Sequence, residues 1–96
     1  MKEVFLVRSE DKLKAEDALK KDDMINRGSI MLRAAGSLDI KEEGYFIIVD
    51  CSAEGIAKAR EILKDMMLKH DKKEIVLQKI EEQENAALQG FGSFMG

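Results

Sequence analysis

Tyr45-Phe46-Ile47-Ile48-Val49 is the most apolar run of this 96-residue chain, and its short length and bulky side chains predict a buried strand. Ser52 follows it and is a favourable N-cap for a helix over about residues 53–69. The first half of the chain has the same order, because an apolar run at residues 4–7 precedes a charged helical segment. Shorter apolar runs at residues 30–32 and 75–77 complete the pattern. The predicted order is therefore strand, helix, strand, strand, helix, strand.

This order predicts an α+β domain. The predicted strands cover residues 2–7, 29–35, 45–49 and 74–80, and the first helix begins at Ser9 and ends near Met24. The order resembles the ferredoxin-like βαββαβ fold, which implies a four-stranded antiparallel sheet in the order 4-1-3-2 with two helices on one face. We expect that domain over residues 1–80, followed by a C-terminal tail over residues 81–96 that is partly helical or disordered.

Composition excludes several classes of protein. The hydrophobic share of 45% and the charged share of 36% are typical of a soluble globular domain, and the net charge of −3 disfavours binding to nucleic acid. The chain has no apolar run near the roughly 20 residues that span a bilayer, and no signal-peptide pattern. A single cysteine suits a reducing compartment. We therefore predict a cytoplasmic protein without a membrane partner.

The residues that most often carry catalysis lie far apart along the chain. Cys51 precedes the second predicted helix, where the helix dipole lowers a thiol pKa, but His70, the single histidine, lies beyond the far end of that helix, about 24 Å away. One cysteine and one histidine do not make a transition-metal site, and the acidic pairs lack calcium-loop spacing. We expect no catalytic residue, no metal and no cofactor, with Cys51 small and buried and His70 at a helix end.

An exposed sheet face is the main candidate for binding. Two helices on one side of the sheet would leave the other side uncovered, and both alternating sets of strand side chains are apolar, so the pattern does not decide which set is exposed. We predict that this face and the C-terminal aromatic residues form a homodimer interface. The residues assigned to it are Phe5, Val7, Tyr45, Ile47, Val49, Phe91, Phe94 and Met95.

Two stretches resemble the motifs of RNA-recognition motif domains. Residues 4–8, Val-Phe-Leu-Val-Arg, resemble their first-strand motif, and residues 44–49, Gly-Tyr-Phe-Ile-Ile-Val, resemble their third-strand motif. The resemblance implies that bases stack on Phe5 and Tyr45. Ile47 stands where a second aromatic of the third strand is expected. Nucleic acid is therefore the least favoured of the partners considered.

The predicted topology is also similar to that of ACT domains, which hold amino acids at the first strand–helix loop and the subunit interface. In this chain the corresponding loop residues are Arg8, Ser9 and Glu10, and the loop has no glycine. Three hypotheses follow. The preferred one is a non-enzymatic module that binds a protein partner or associates with itself. The alternatives are an ACT-like small-ligand regulatory domain and an RRM-like RNA-binding protein.

Overall fold

One antiparallel sheet of four strands organises the chain. The computed structural model describes the backbone of residues 1–95 and the side chains of residues 1–84. The strands are β1 (Lys2–Val7), β2 (Ser29–Ala34), β3 (Tyr45–Asp50) and β4 (Met67–Leu68). Their order in the sheet is β2-β3-β1-β4, so the predicted strand order is confirmed and the two most apolar strands are central. β1 pairs with β3 over its whole length, whereas β4 pairs only with Leu6 and Val7.

Four α-helices accompany the sheet. They are α1 (Lys12–Lys20), α2 (Asp23–Asn26), α3 (Ala53–Leu63) and α4 (Lys73–Met95), with 3₁₀ helices at Ser9–Asp11 and Ala35–Leu38. The predicted first helix is thus divided, because the Asp22 carboxylate accepts the Met24 N–H at 2.9 Å and starts α2. Ser9 makes no capping hydrogen bond. Ser52 does cap α3 as predicted, since its hydroxyl accepts the Gly55 N–H at 3.1 Å.

The prediction of a last strand over residues 74–80 is wrong. That segment belongs to α4, and the edge strand is Met67–Leu68, which the sequence pattern assigned to the second helix. A short apolar run does not distinguish a strand from a helix by periodicity alone, and the surrounding Lys, Glu and Gln favour a helix. In α4, Val76 and Ile80 lie one turn apart and are both buried. The predicted domain boundary after residue 80 therefore falls inside α4.

Alternate side chains of the strands form two separate apolar cores. The first core joins Phe5, Val7, Ile47 and Val49 to Ala15, Leu19, Ile25, Ile56, Ala59 and Leu63. The second core joins Val4, Leu6, Phe46 and Ile48 to Ala35, Leu38, Ile40, Val76 and Ile80. We call the first side of the sheet the three-helix face, because α1, α2 and α3 pack on it, and the second side the α4 face.

The strand side chains predicted to form an open interface lie on the three-helix face instead. Phe5 is 4% exposed, and Val7, Ile47 and Val49 are 0% exposed. Tyr45 packs against the same core and is half-buried. These side chains are core residues because α1–α3 cover them, while α4 packs on the opposite set. The other assigned interface residues, Phe91, Phe94 and Met95, have side chains outside the described part of the chain.

None of the helices described is both long and apolar enough to cross a membrane.

Candidate functional site

Residues from two distant loops meet in a groove at the end of β1. The groove has a volume of about 490 Å³, and we call it the loop groove. It is lined by Arg8, Ser9, Glu10, Glu43, Gly44 and Leu68. The three residues predicted as a ligand loop therefore lie together, opposite the segment that precedes β3. A concave site of this size is typical of small-molecule binding.

Gly44 lines the loop groove at a position that sterically requires glycine. Its φ is +117°, a conformation that side chains other than glycine rarely adopt, and a Cβ there would lie 2.2 Å from the Val7 carbonyl oxygen. The Gly44 carbonyl also accepts the Ala35 N–H at 3.1 Å, which extends the pairing of β2 and β3. The glycine thus brings the loop before β3 into direct contact with the end of β1.

The charges of the loop groove are mixed, with an excess of carboxylates. Arg8 Nε lies 3.2 Å from an Asp11 carboxylate oxygen and 3.6 Å from a Glu10 carboxylate oxygen. Glu43 is exposed at the rim, so the lining of the groove has two carboxylates, those of Glu10 and Glu43, and one guanidinium. Ser9 supplies a hydroxyl and Leu68 an apolar wall. Such a site offers carboxylates to an ammonium group and a guanidinium and a hydroxyl to an anionic group.

Cys51 lies apart from the loop groove, in a cavity of about 280 Å³ beside α2 and α3. Burial raises the pKa of its thiol, the N-terminal ammonium group partly opposes this rise, and the carboxylates of Asp50 and Asp22 add to it. A raised pKa keeps the thiol protonated at neutral pH, and a protonated thiol is a poor nucleophile. The position does not favour a reactive cysteine.

His70 has a structural role that the sequence did not indicate. It lies between β4 and α4, not in the last turn of a helix, and its Nδ1 accepts the Lys72 N–H at 3.0 Å. The proton is therefore on Nε2, which donates to the Val4 carbonyl at 2.8 Å. The ring also meets Phe46 edge to face, with 5.5 Å between centroids. Both ring nitrogens are used to hold the chain against β1.

Side chains also hydrogen-bond to backbone groups of the edge strand β2 and of β1 where β4 does not pair with it. The Val4 N–H, beside the carbonyl bound by His70, donates to the Glu3 carboxylate at 3.1 Å. On β2 the Leu32 carbonyl accepts from the Arg33 guanidinium at 2.9 Å. The Ala34 carbonyl accepts from the Ser37 hydroxyl at 2.7 Å. Capped groups are poor templates for another strand, so these edges disfavour sheet extension.

Within the described residues, no group of three or more His, Cys, Asp and Glu side chains is placed to hold a metal ion. Comparison with known proteins adds no assignment, since no protein-family model, no curated protein and no solved structure matches the chain.

Proposed function

We propose that this protein is a non-catalytic binding module that holds a small ligand in the loop groove of a ferredoxin-like domain. The observation that carries the proposal is the convergence of Arg8, Ser9 and Glu10 with Glu43 and Gly44 around about 490 Å³. These residues come from two loops that α1, α2 and β2 separate along the chain. Convergence of this kind, with polar groups around a concave space, is what a small-ligand site requires.

The chemistry of the groove favours a zwitterion, such as a free amino acid. Glu10 and Glu43 offer carboxylates to an ammonium group, whereas Arg8 and Ser9 offer donors to a carboxylate. Leu68 supplies an apolar contact for a side chain. The similarity in topology to ACT domains, which hold amino acids at the corresponding loop, supports the same class of ligand. This proposal makes the protein a regulatory or sensing domain.

Thermal unfolding followed by circular dichroism, with each standard amino acid in turn, tests the proposal. A ligand that binds only the native state raises Tm with concentration, so we expect at least one amino acid to do so. The double substitution Arg8→Gln with Glu43→Gln should abolish that rise. Glu61→Gln, on α3 and outside the groove, is the matched control and should retain it. No rise with any amino acid, or a rise that survives the double substitution, would overturn the proposal.

Self-association through the C-terminal segment is a second proposed function. α4 has 23 residues, and among its described side chains Val76 and Ile80 are buried. The C-terminal part of the same helix contains Phe91, Phe94 and Met95. The three-helix face and the outer edge of β2 are less suitable for association, because helices cover that face and side chains bind the edge carbonyls of Leu32 and Ala34.

Light scattering after size exclusion tests this second function on the full chain and on a chain truncated after Gln89. A full-length dimer that becomes a monomer on truncation would support association through the C-terminal segment. Association of equal strength in both chains, or a monomer in both, would overturn it.

The third hypothesis, RNA binding, has less support. Phe5, at the aromatic position of the first-strand motif, is buried beneath helices and cannot stack on a base. Tyr45 is engaged by Lys12, whose ammonium lies 3.0 Å from the phenol oxygen and 4.2 Å from the ring centroid. The stacking platform that the resemblance implies is therefore not exposed.

A further inference from the structure

The α4 face is covered less completely than the three-helix face. Strands lie about 4.8 Å apart, so a four-stranded sheet is wider than the roughly 10 Å diameter of a single helix. Ile48 and Ile80 accordingly remain 6% and 8% exposed in the second core. The uncovered strip lies beside α4, at the ends of β2 and β3 that are far from the loop groove.

A second groove follows this strip, and we call it the sheet–helix groove. Its volume is about 410 Å³. Its floor is apolar and consists of Met31, Ile48, Leu77 and Ile80. Its rim is polar and consists of Lys2, Ser29, Asp50, Glu81 and Glu84. An apolar floor with an acidic rim favours an apolar side chain that has cationic neighbours.

The charge on the rim comes mostly from α4. Three carboxylates and the Lys2 ammonium lie on the rim, and the N-terminal ammonium group pairs with the Asp50 carboxylate at 3.4 Å, which leaves Glu81 and Glu84 as the main acidic groups. Glu81 and Glu84 are exposed, and the ion pairs recorded within residues 1–84 do not include them. An occupant with lysine or arginine side chains would therefore gain attraction from the helix wall of the groove.

The opposite flank of α4 has the complementary chemistry. Ile75 is 41% exposed, although it is a large aliphatic side chain of a kind that folding usually buries. Lys79 follows it by four residues on the same side of the helix, and Lys72, three residues before it, lies directly before α4 with its ammonium 4.0 Å from the Asp71 carboxylate. Ile75 and Leu77 are two residues apart, which places them about 200° apart around the helix axis. α4 thus has a basic apolar flank and an acidic apolar flank.

We propose that the sheet–helix groove binds the basic flank of α4 from a second copy of this chain. Ile75 of one copy enters the apolar floor of the other, and Lys72 and Lys79 face Glu81 and Glu84 across the contact. Leu13 is another exposed aliphatic side chain, but its helical neighbours are Glu10, Glu16 and Asp17, which the acidic rim would repel. The basic flank is therefore the better match within this chain.

The association is head to tail, because the groove and the flank are different surfaces of each copy. Such a contact does not stop at a dimer unless its rotation closes a ring. Sedimentation velocity over a series of protein concentrations should show a mass that increases beyond two copies. High salt should weaken the association, since ions screen the lysine–glutamate attraction.

Two surface variants test the pairing. Ile75→Ser removes the apolar contact. Glu81→Lys with Glu84→Lys reverses the sign of the charge on the groove rim. Each variant should weaken association about tenfold or more. An equal mixture of the two variants should form dimers only, because one retains an intact groove and the other an intact flank. Leu13→Ser and Glu61→Lys are the matched controls, and both should associate like the unmodified chain.

The outcomes separate this proposal from the two proposed functions. A chain that stays monomeric at all concentrations would overturn it, as would association that neither variant weakens. A mixture of variants that stays monomeric would also overturn it. Truncation after Gln89 should leave the association in place, whereas association through the C-terminal segment requires that segment. Binding of an amino acid in the loop groove, at the other end of the six-residue β1, is measured independently by Tm.

Discussion

The two faces of the sheet are built from alternate side chains of the same strands, yet they are covered differently. On the three-helix face Ile47 is 0% exposed, whereas its neighbour Ile48 on the α4 face is 6% exposed. Three helices cover the first face, and one helix with a 3₁₀ segment covers the second. Both alternate sets of strand side chains are apolar, so both faces of the sheet must be covered. The number of helices that pack on a face decides how completely it is covered. The less complete face contains the sheet–helix groove.

The largest expected effect is a difference in unfolding free energy between matched substitutions on the two faces. Ile47→Ala and Ile48→Ala remove the same atoms from adjacent residues of β3, so one serves as the control for the other. We expect Ile47→Ala to lower the free energy of unfolding by about 4 kcal/mol and Ile48→Ala by about 2 kcal/mol, because the groove beside Ile48 lets neighbours and water fill the space. Urea denaturation measures both. Equal losses would show that the two faces are equally well packed.

A second prediction concerns the end of the sheet where the loop groove lies. Gly44→Ala places a Cβ against the Val7 carbonyl oxygen in a backbone conformation unfavourable for alanine. We expect a loss of about 2–3 kcal/mol in unfolding free energy, together with weaker ligand binding. Gly36→Ala is the control, because nothing lies within 4 Å of a Cβ at that position. A neutral Gly44→Ala would mean that the loop adjusts without strain.

A third prediction tests the polar contact that holds the start of α4 against the sheet. His70→Ala leaves the Val4 carbonyl without its donor and removes the edge-to-face contact with Phe46. We expect the free energy of unfolding to fall by about 1–2 kcal/mol. Lys69→Ala, at the exposed neighbouring position, should change it by less than about 0.5 kcal/mol. The same loss in both variants would assign the effect to the loop rather than to the imidazole.

The smallest expected effect is a pH dependence of the unfolding free energy that Glu3 causes. The Glu3 carboxylate pairs with Arg60 of α3 and Lys73 of α4, so it links the two faces of the sheet. Burial tends to raise the pKa of Glu3, but the Val4 N–H, Lys73 and Arg60 together hold it below its ordinary value of 4.5. A lowered folded-state pKa stabilises the native state above the unfolded-state pKa, and this stabilisation is lost as the pH falls through the folded-state value. Glu3→Gln should therefore differ most from the unmodified chain at neutral pH and least in acid.

Urea denaturation at a series of pH values measures the Glu3 effect. Glu74→Gln, at an exposed position of α4, controls for the loss of one negative charge. A difference between Glu3→Gln and the unmodified chain that stays constant from neutral to acidic pH would contradict the prediction.

Several elements could be predicted from local sequence. The apolar run at residues 45–49 identified β3, observed as Tyr45–Asp50, and the Ser52 side chain identified the start of α3. The meeting of the Arg8 loop with the loop before β3 followed from strand order, since adjacent antiparallel strands bring those ends together. Each of these features depends on residues that are close together in the sequence or on the order of the strands, and both can be deduced from the sequence.

Other elements could not be predicted in this way. β4 has two residues, too few for any periodicity, and it exists because β1 offers a free edge beside it. By its pattern alone, the run at residues 75–77 fits a strand or a helix equally well. In the folded protein it is helical, because Val76 and Ile80 then pack together in the second core. The role of His70 depends on both, because its imidazole contacts the Val4 carbonyl from the segment between β4 and α4.

The sequence by itself determined an α+β fold with β1 and β3 at the centre of the sheet, because strongly apolar strands are stable only when buried between layers. Tertiary structure alone decided which alternate set of side chains faces the three helices and which faces α4. Both sets are apolar, so either orientation satisfies the hydrophobic pattern, and the number and shape of the helices that pack on each face decide between them.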